Sequence, residues 1–167
     1  MFTQYLPTFK AVEINRVTGL TAGHMLSQFP ANAALTRKVY GDHKFIENGL
    51  IVGLGADGTV ENYEASKHAQ IFLHYSEELY TLLDELKYFA IADTECPRCV
   101  ALYIGDTFTT DNFAGTLEGA KFAKVVNGVA TLQETADADT MFIAVETTMP
   151  NGDTGVELTL YRIPTGA

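Results

Sequence analysis

The sequence predicts a mainly β protein: a small β-barrel or sandwich body built of hairpins, with one main α-helix and an extended N-terminal arm. Three observations carry that reading. Strand-preferring residues are plentiful, with 8 Tyr and 10 Phe beside frequent Val and Thr. Turn signals, Asp57-Gly58 and Asn127-Gly128 above all, recur between short apolar runs. Helical periodicity is clear in a single stretch, over about residues 76–88. A length of 167 residues suits one domain, and 47% hydrophobic against 19% charged residues suits a packed core rather than a disordered chain.

Residues 1–32 show no clean period, and Pro7, Gly19, Gly23 and Pro30 interrupt their apolar stretches. Residues 1–40 are therefore read as an arm or irregular segment, with a short strand at Arg37 to Tyr40. Residues 41–167 form the body, divisible into subdomains 41–95 and 100–167. Residues 45–49 read as a strand entering a turn and 50–54 as an apolar strand. Asp57-Gly58 makes a two-residue turn into a strand at 59–63, and 69–75 form another. Ser76 is a suitable N-cap, and Glu77 and Glu78 suit the positive end of a helix dipole. Leu79, Leu82, Leu83, Leu86 and Phe89 complete an apolar stripe. Strands follow at 100–104, 106–110, 121–126 and 129–133, the last two joined by Asn127-Gly128. Two longer strands, 141–147 and 155–163, flank Pro150-Asn151-Gly152-Asp153. Many turns and one helix are the signature of a small sandwich or barrel.

Charge narrows the partners. Eleven Lys and Arg face 21 Asp and Glu, a net charge of -10. Nucleic-acid binding needs a basic patch that displaces counterions, so no nucleic-acid partner is expected. The densest basic stretch is Arg37-Lys38 with Lys44 nearby. No apolar run approaches the ~18 residues of a membrane helix, so no membrane partner is expected. The first residues lack the basic and apolar regions of a secretory signal, so synthesis in a cytoplasm is expected.

Four constellations could carry chemistry. Gly53-Leu54-Gly55-Ala56-Asp57-Gly58 is a formal G-x-G-x-x-G after an apolar strand, with Glu77 and Glu78 about twenty residues on. Residues 59–68 would have to be the crossover helix, yet their periodicity is poor, and Asp57-Gly58 suits a hairpin better than a phosphate cradle. Cys96-Pro97-Arg98-Cys99 offers half a zinc site or a redox pair. No second C-x-x-C exists, and His24, His43, His68 and His74 are scattered, so a turn with reduced thiols is preferred. His68 and His74 would share one strand face but lack a third ligand. Glu134, Asp137 and Asp139, with Asp153 further on, lack calcium-loop spacing and read as a solvated loop. The three serines, Ser27, Ser66 and Ser76, lie outside any G-x-S-x-G. No catalytic residue, cofactor or metal is assigned, Cys96 and Cys99 being the weak metal candidates.

Two stretches resemble head decoration and capsid-stabilising proteins of tailed bacteriophages. Residues 47–60, ENGLIVGLGADGTV, are similar to a hairpin with D-G-T-V at its turn that recurs in small virion coat additions. Residues 104–113, IGDTFTTDNF, are similar to the G-D-x-F-T-T strand that opens the β-domain of such proteins. A segment like 119–128 and a closing strand pair like 140–163 then follow. The helix at 76–88 and the segment before residue 40 depart from that pattern.

The resemblance implies a non-enzymatic virion structural protein, made in the bacterial host cytoplasm and placed on the outer capsid surface, where it stabilises or decorates the head. The major capsid protein is then the partner, with copies of the chain itself as a second partner and a trimer as one form. Phe2, Tyr5, Leu6, Phe9, Met25, Leu26 and Phe29 are the candidate contact residues, because buried aromatic and apolar anchors dominate interface energy. A head-fibre base or a tail-associated β-domain is the neighbouring alternative. A small dinucleotide- or zinc-dependent enzyme, using Gly53 to Gly58 or Cys96 and Cys99, is the alternative from another class.

Overall fold

The structure is a computed structural model and describes residues 7–19, 24–76 and 87–164. The described chain is mainly β, with curled sheets and a half-barrel. The first strands are β1 (Val12–Arg16), β2 (Met25–Leu26), β3 (Lys38–Tyr40), β4 (His43–Ile46) and β5 (Ile51–Leu54). Next come β6 (Val60–Asn62), β7 (Phe72–His74), β8 (Ile91–Ala92), β9 (Cys99–Ala101) and β10 (Thr107–Thr110). The last are β11 (Phe113–Ala114), β12 (Phe122–Val126), β13 (Val129–Gln133), β14 (Thr140–Thr148) and β15 (Thr154–Leu160). No α-helix is seen among the described residues. The helix expected over 76–88 falls on residues 77–86, which lie outside them, and Lys87 and Tyr88 make a short 3-10 turn.

Three sheets form. Seven strands run in the order β1-β10-β15-β14-β12-β13-β11, five in the order β2-β9-β7-β5-β6, and three in the order β3-β4-β8. The larger core fills the space between the first two sheets. Phe108, Phe142, Leu158 and Leu160 meet Ile51, Leu73, Val100 and Leu102 there. A second core covers the other side of the five-stranded sheet, where Val52, Val60, Phe72 and Cys99 meet Leu35, Ile46 and Leu50. The five-stranded sheet is thus a middle layer, buried on both faces. That explains unbroken apolar runs such as Ile71-Phe72-Leu73 in antiparallel strands, which otherwise alternate.

Turn chemistry sets the hairpins. Asn127 (φ 50) and Gly128 (φ 76) are both left-handed, and Val126 pairs with Val129, which is the expected two-residue turn. The turn at Asp57-Gly58 differs from expectation. Gly58 has φ 77, but the only positive-φ non-glycine among the described residues is Asn127. Gly55 N–H donates to the Thr59 carbonyl (2.8 Å) and Gly58 N–H to the Gly55 carbonyl (3.0 Å). This is a three-residue loop with its glycine in the left-handed position. The β14–β15 loop repeats it: Met149 N–H donates to the Asp153 carbonyl, and Gly152 has φ 85.

The described residues of the N-terminal segment, 7–19 and 24–40, are woven into the body instead of extending from it as an arm. β1 pairs antiparallel with β10, and β2 with β9. Thr18 donates both its N–H and its hydroxyl to Asp106 Oδ1, at 3.0 and 2.7 Å. β9, beyond residue 95, pairs with β7, and the larger core draws on residues from Val12 to Leu160.

Candidate functional site

The glycine motif Gly53 to Gly58 forms the β5–β6 hairpin, with no helix after it. The two strands are antiparallel, so the geometry of a dinucleotide phosphate cradle is absent there. Gly53 has a packing role. A Cβ on it would lie 2.3 Å from Cγ of His68, whose ring occupies that space. His68 sits in a turn, not on the strand face it was expected to share with His74. Its Nδ1 accepts from the Glu64 N–H (2.9 Å), leaving Nε2–H to donate to Glu61 Oε1 (2.8 Å).

The cysteine pair is split. Cys96 is exposed, whereas Cys99 lies in β9 within the second core, where burial pushes its thiol far up. No group of three metal-ligating side chains forms among the described residues. The acidic stretch is a braced loop. Asp137 takes a bond from Lys124 Nζ (2.9 Å), and that cation first, then Thr140, holds its carboxyl well below the usual range. Arg162 donates to the carbonyls of Asp137, Ala138 and Thr140. Asp153 is elsewhere, in the β14–β15 loop.

A buried polar hub ties the three sheets together, and sequence reasoning missed it. Asn48 donates to the Ser76 carbonyl (2.7 Å) and accepts from the Ser76 N–H (2.8 Å). Asn112 donates to the Asn48 carbonyl, and Thr110 donates to the Ala11 carbonyl. His74 Nδ1 faces the Glu47 carbonyl at 2.7 Å and must donate, so Nε2 accepts from the Ser76 hydroxyl at 2.9 Å. Ser76 Oγ also accepts from the Arg98 N–H (3.1 Å). Ser76 and His74 thus have a nucleophile–base arrangement, but both are buried and fully occupied. Burial first, against the Glu47 bond, lowers the His74 pKa to about 4. The available signal was Asn48-Gly49 at a strand exit, where a polar turn residue next to an apolar run can face inward.

An open groove of about 960 Å³ lies between Tyr63, Val125, Met141 and Ile163, with Lys124 and Arg162 at its sides. Both cations already serve the acidic loop. The Tyr63 hydroxyl is buried without a hydrogen-bond partner among the described residues, and burial raises its pKa.

The expected contact residues are placed as follows. Phe2, Tyr5 and Leu6 lie outside the described residues. Phe9 is 6% exposed and packs on Phe45 at a ring distance of 4.9 Å, so its ring is spent on the chain's own body. Met25 packs against the larger core, and Leu26 and Phe29 against the second. All three are half-buried. The most exposed large apolar side chains are elsewhere: Ile104, Val39, Val145, Tyr40, Tyr88, Val126 and Ile143 lead them. No family model, curated protein or solved structure matches the chain.

Proposed function

We propose that this chain is a non-enzymatic virion structural protein of a tailed bacteriophage, binding the outer capsid surface and stabilising or decorating the head. The observation that carries the reading is how the residues resembling such proteins are used. Residues 47–60 supply the β5–β6 hairpin and, through Asn48, the centre of the buried hub. Residues 104–113 supply β10, with Asp106 and Thr110 binding the N-terminal segment across 88 and 99 residues of sequence. Chemistry-bearing side chains, from His68 to Ser76 and Arg162, hold strands and loops in place. The product is a rigid β body with apolar side chains on its outside, which suits repeated protein contacts on a symmetric shell.

Quantitative peptide mass spectrometry on density-purified particles tests it. The expected result is a ratio to the most abundant coat protein near unity or a simple fraction. A handful of copies per particle would move the chain to a head-fibre base or tail-associated part. Absence from particles would overturn the reading.

A further inference from the structure

Two surface patches of the described chain expose apolar side chains, and they are complementary. The first is the β3–β4 hairpin. β3 is an edge strand of its sheet, and Val39 and Tyr40 on it, which point to opposite faces, are 63% and 48% exposed. The register sets Val39 opposite Lys44 and Tyr40 opposite His43. Residues 37–44 carry Arg37, Lys38 and Lys44 against Asp42 alone, in a chain of net charge -10. Arg37 and Lys38 have carboxylates nearby in Asp93 and Glu47, which leaves Lys44 as the hairpin's cation with no carboxylate partner among the described residues.

The second patch is the outward face of the seven-stranded sheet. Val145, Glu157, Thr109 and Glu13 lie opposite one another in one row across β14, β15, β10 and β1; Asn15 donates to Thr109 and Glu157 and buries Thr109, so the exposed part of the row is its β14 and β15 end. Ile143, two residues from Val145, shares that face and pairs with Phe122, whose ring lies 6.4 Å from that of Tyr161. Val145 is 55% and Ile143 42% exposed. These two sit at the middle of a sheet, not at a frayed end.

We infer that the β3–β4 hairpin of one copy docks on the outward sheet face of a second copy. Val39 covers Ile143 and Val145, and Lys44, which the register sets beside Val39 on the same face, meets Glu157. Charge favours contact between unlike patches. Pairing either patch with itself brings charges of one sign into the interface, whereas the crossed contact sets cation against carboxylate. Such a contact is heterologous, so every copy keeps one free hairpin and one free face until a ring closes. The inference concerns contacts between copies and holds whether or not the chain sits on a capsid.

Sedimentation velocity of the full chain over a concentration series tests it. The native chain is expected to associate as concentration rises. Lys44→Glu and Glu157→Lys are each expected to weaken association by about tenfold or more. The double variant Lys44→Glu/Glu157→Lys restores opposite charges and should recover most of it. Val145→Asp should leave a folded monomer with a moderately lowered melting temperature, because a carboxylate there faces Glu157 across the strands. A native chain that is monomeric up to about 1 mM would overturn the inference. So would a double variant no better than the singles, or association untouched by Val145→Asp. A monomer whose particle binding is lost on Val145→Asp would assign the face to the shell and likewise overturn it.

Discussion

On β7 of the five-stranded sheet, Phe72 and Leu73 are neighbours in sequence and both are buried, in opposite directions. On β14 of the seven-stranded sheet, Phe142 is buried and Ile143 faces solvent. β7 and β14 are each antiparallel to both of their neighbours, so strand pairing does not cause the difference. What covers the second face does. Phe29, Ala31, Leu35 and Ile46 lie over the five-stranded sheet, while Ile143 and Val145 at the middle of the seven-stranded one stay exposed among the described residues. Residues 29–46 therefore supply a third layer, while β1 and β2 extend the seven- and five-stranded sheets themselves. β-pairing, Asp106 and the hub at Asn48, Ser76 and Asn112 tie these parts together.

Four measurements can break or sharpen that comparison. The largest effects belong to the cores. Phe72→Ala and Leu73→Ala are each expected to cost about 2–5 kcal/mol in denaturant unfolding, because each leaves a cavity on its own face. A Phe72→Ala variant within about 0.5 kcal/mol of the native chain would show that the second face is not closed.

Acid comes next and probes where the layers join. His74 is neutral in the fold, with a pKa of about 4 against 6.5 unperturbed. Between those values the unfolded chain binds the extra proton, so stability falls as pH drops from about 6.5 to 4, by about 3 kcal/mol in all. The loss should be absent above pH 7. A His74→Gln variant whose stability fell just as steeply over that window would remove His74 as the cause.

Asn48→Ala should cost about 1–3 kcal/mol, since it leaves both the N–H and the carbonyl of buried Ser76 without partners. A smaller loss in thermal unfolding would mean that water reaches the hub. The smallest effect marks the open face. Ile143→Thr should change the stability of the dilute chain by no more than about 0.5 kcal/mol. A loss above 2 kcal/mol would mean that this face is covered.

Legibility in the sequence followed the range of the forces. Most strands of the body were readable, because Asp57-Gly58, Asn127-Gly128 and Asn151-Gly152 punctuate them locally. Even there the loop at Asp57 was misjudged by one residue: Asp-Gly admits both a two-residue turn and a three-residue loop, and the Gly55–Thr59 pairing selects the longer. β1 and β2 were not readable. They have five and two residues, and their partners, β10 and β9, lie tens of residues away, so no local period marks them. His68 was misplaced for a related reason. It precedes its strand in a turn and packs against Gly53, a contact that no spacing rule encodes. Of the candidate contact residues, Phe9 proved buried because Phe45 and the Lys87 carbonyl receive it.

Composition and turn chemistry alone determined that the chain would be β-rich, acidic and divided into hairpins, since glycine dihedrals and alternating apolar residues act over a few bonds. Residues 141–145 read Met-Phe-Ile-Ala-Val, five apolar residues with no visible inside or outside. Only tertiary pairing decided that Phe142 and Ala144 enter the core while Ile143 and Val145 face water. A strand has two faces whatever its sequence, and which of them is buried depends on what the rest of the chain brings to cover it.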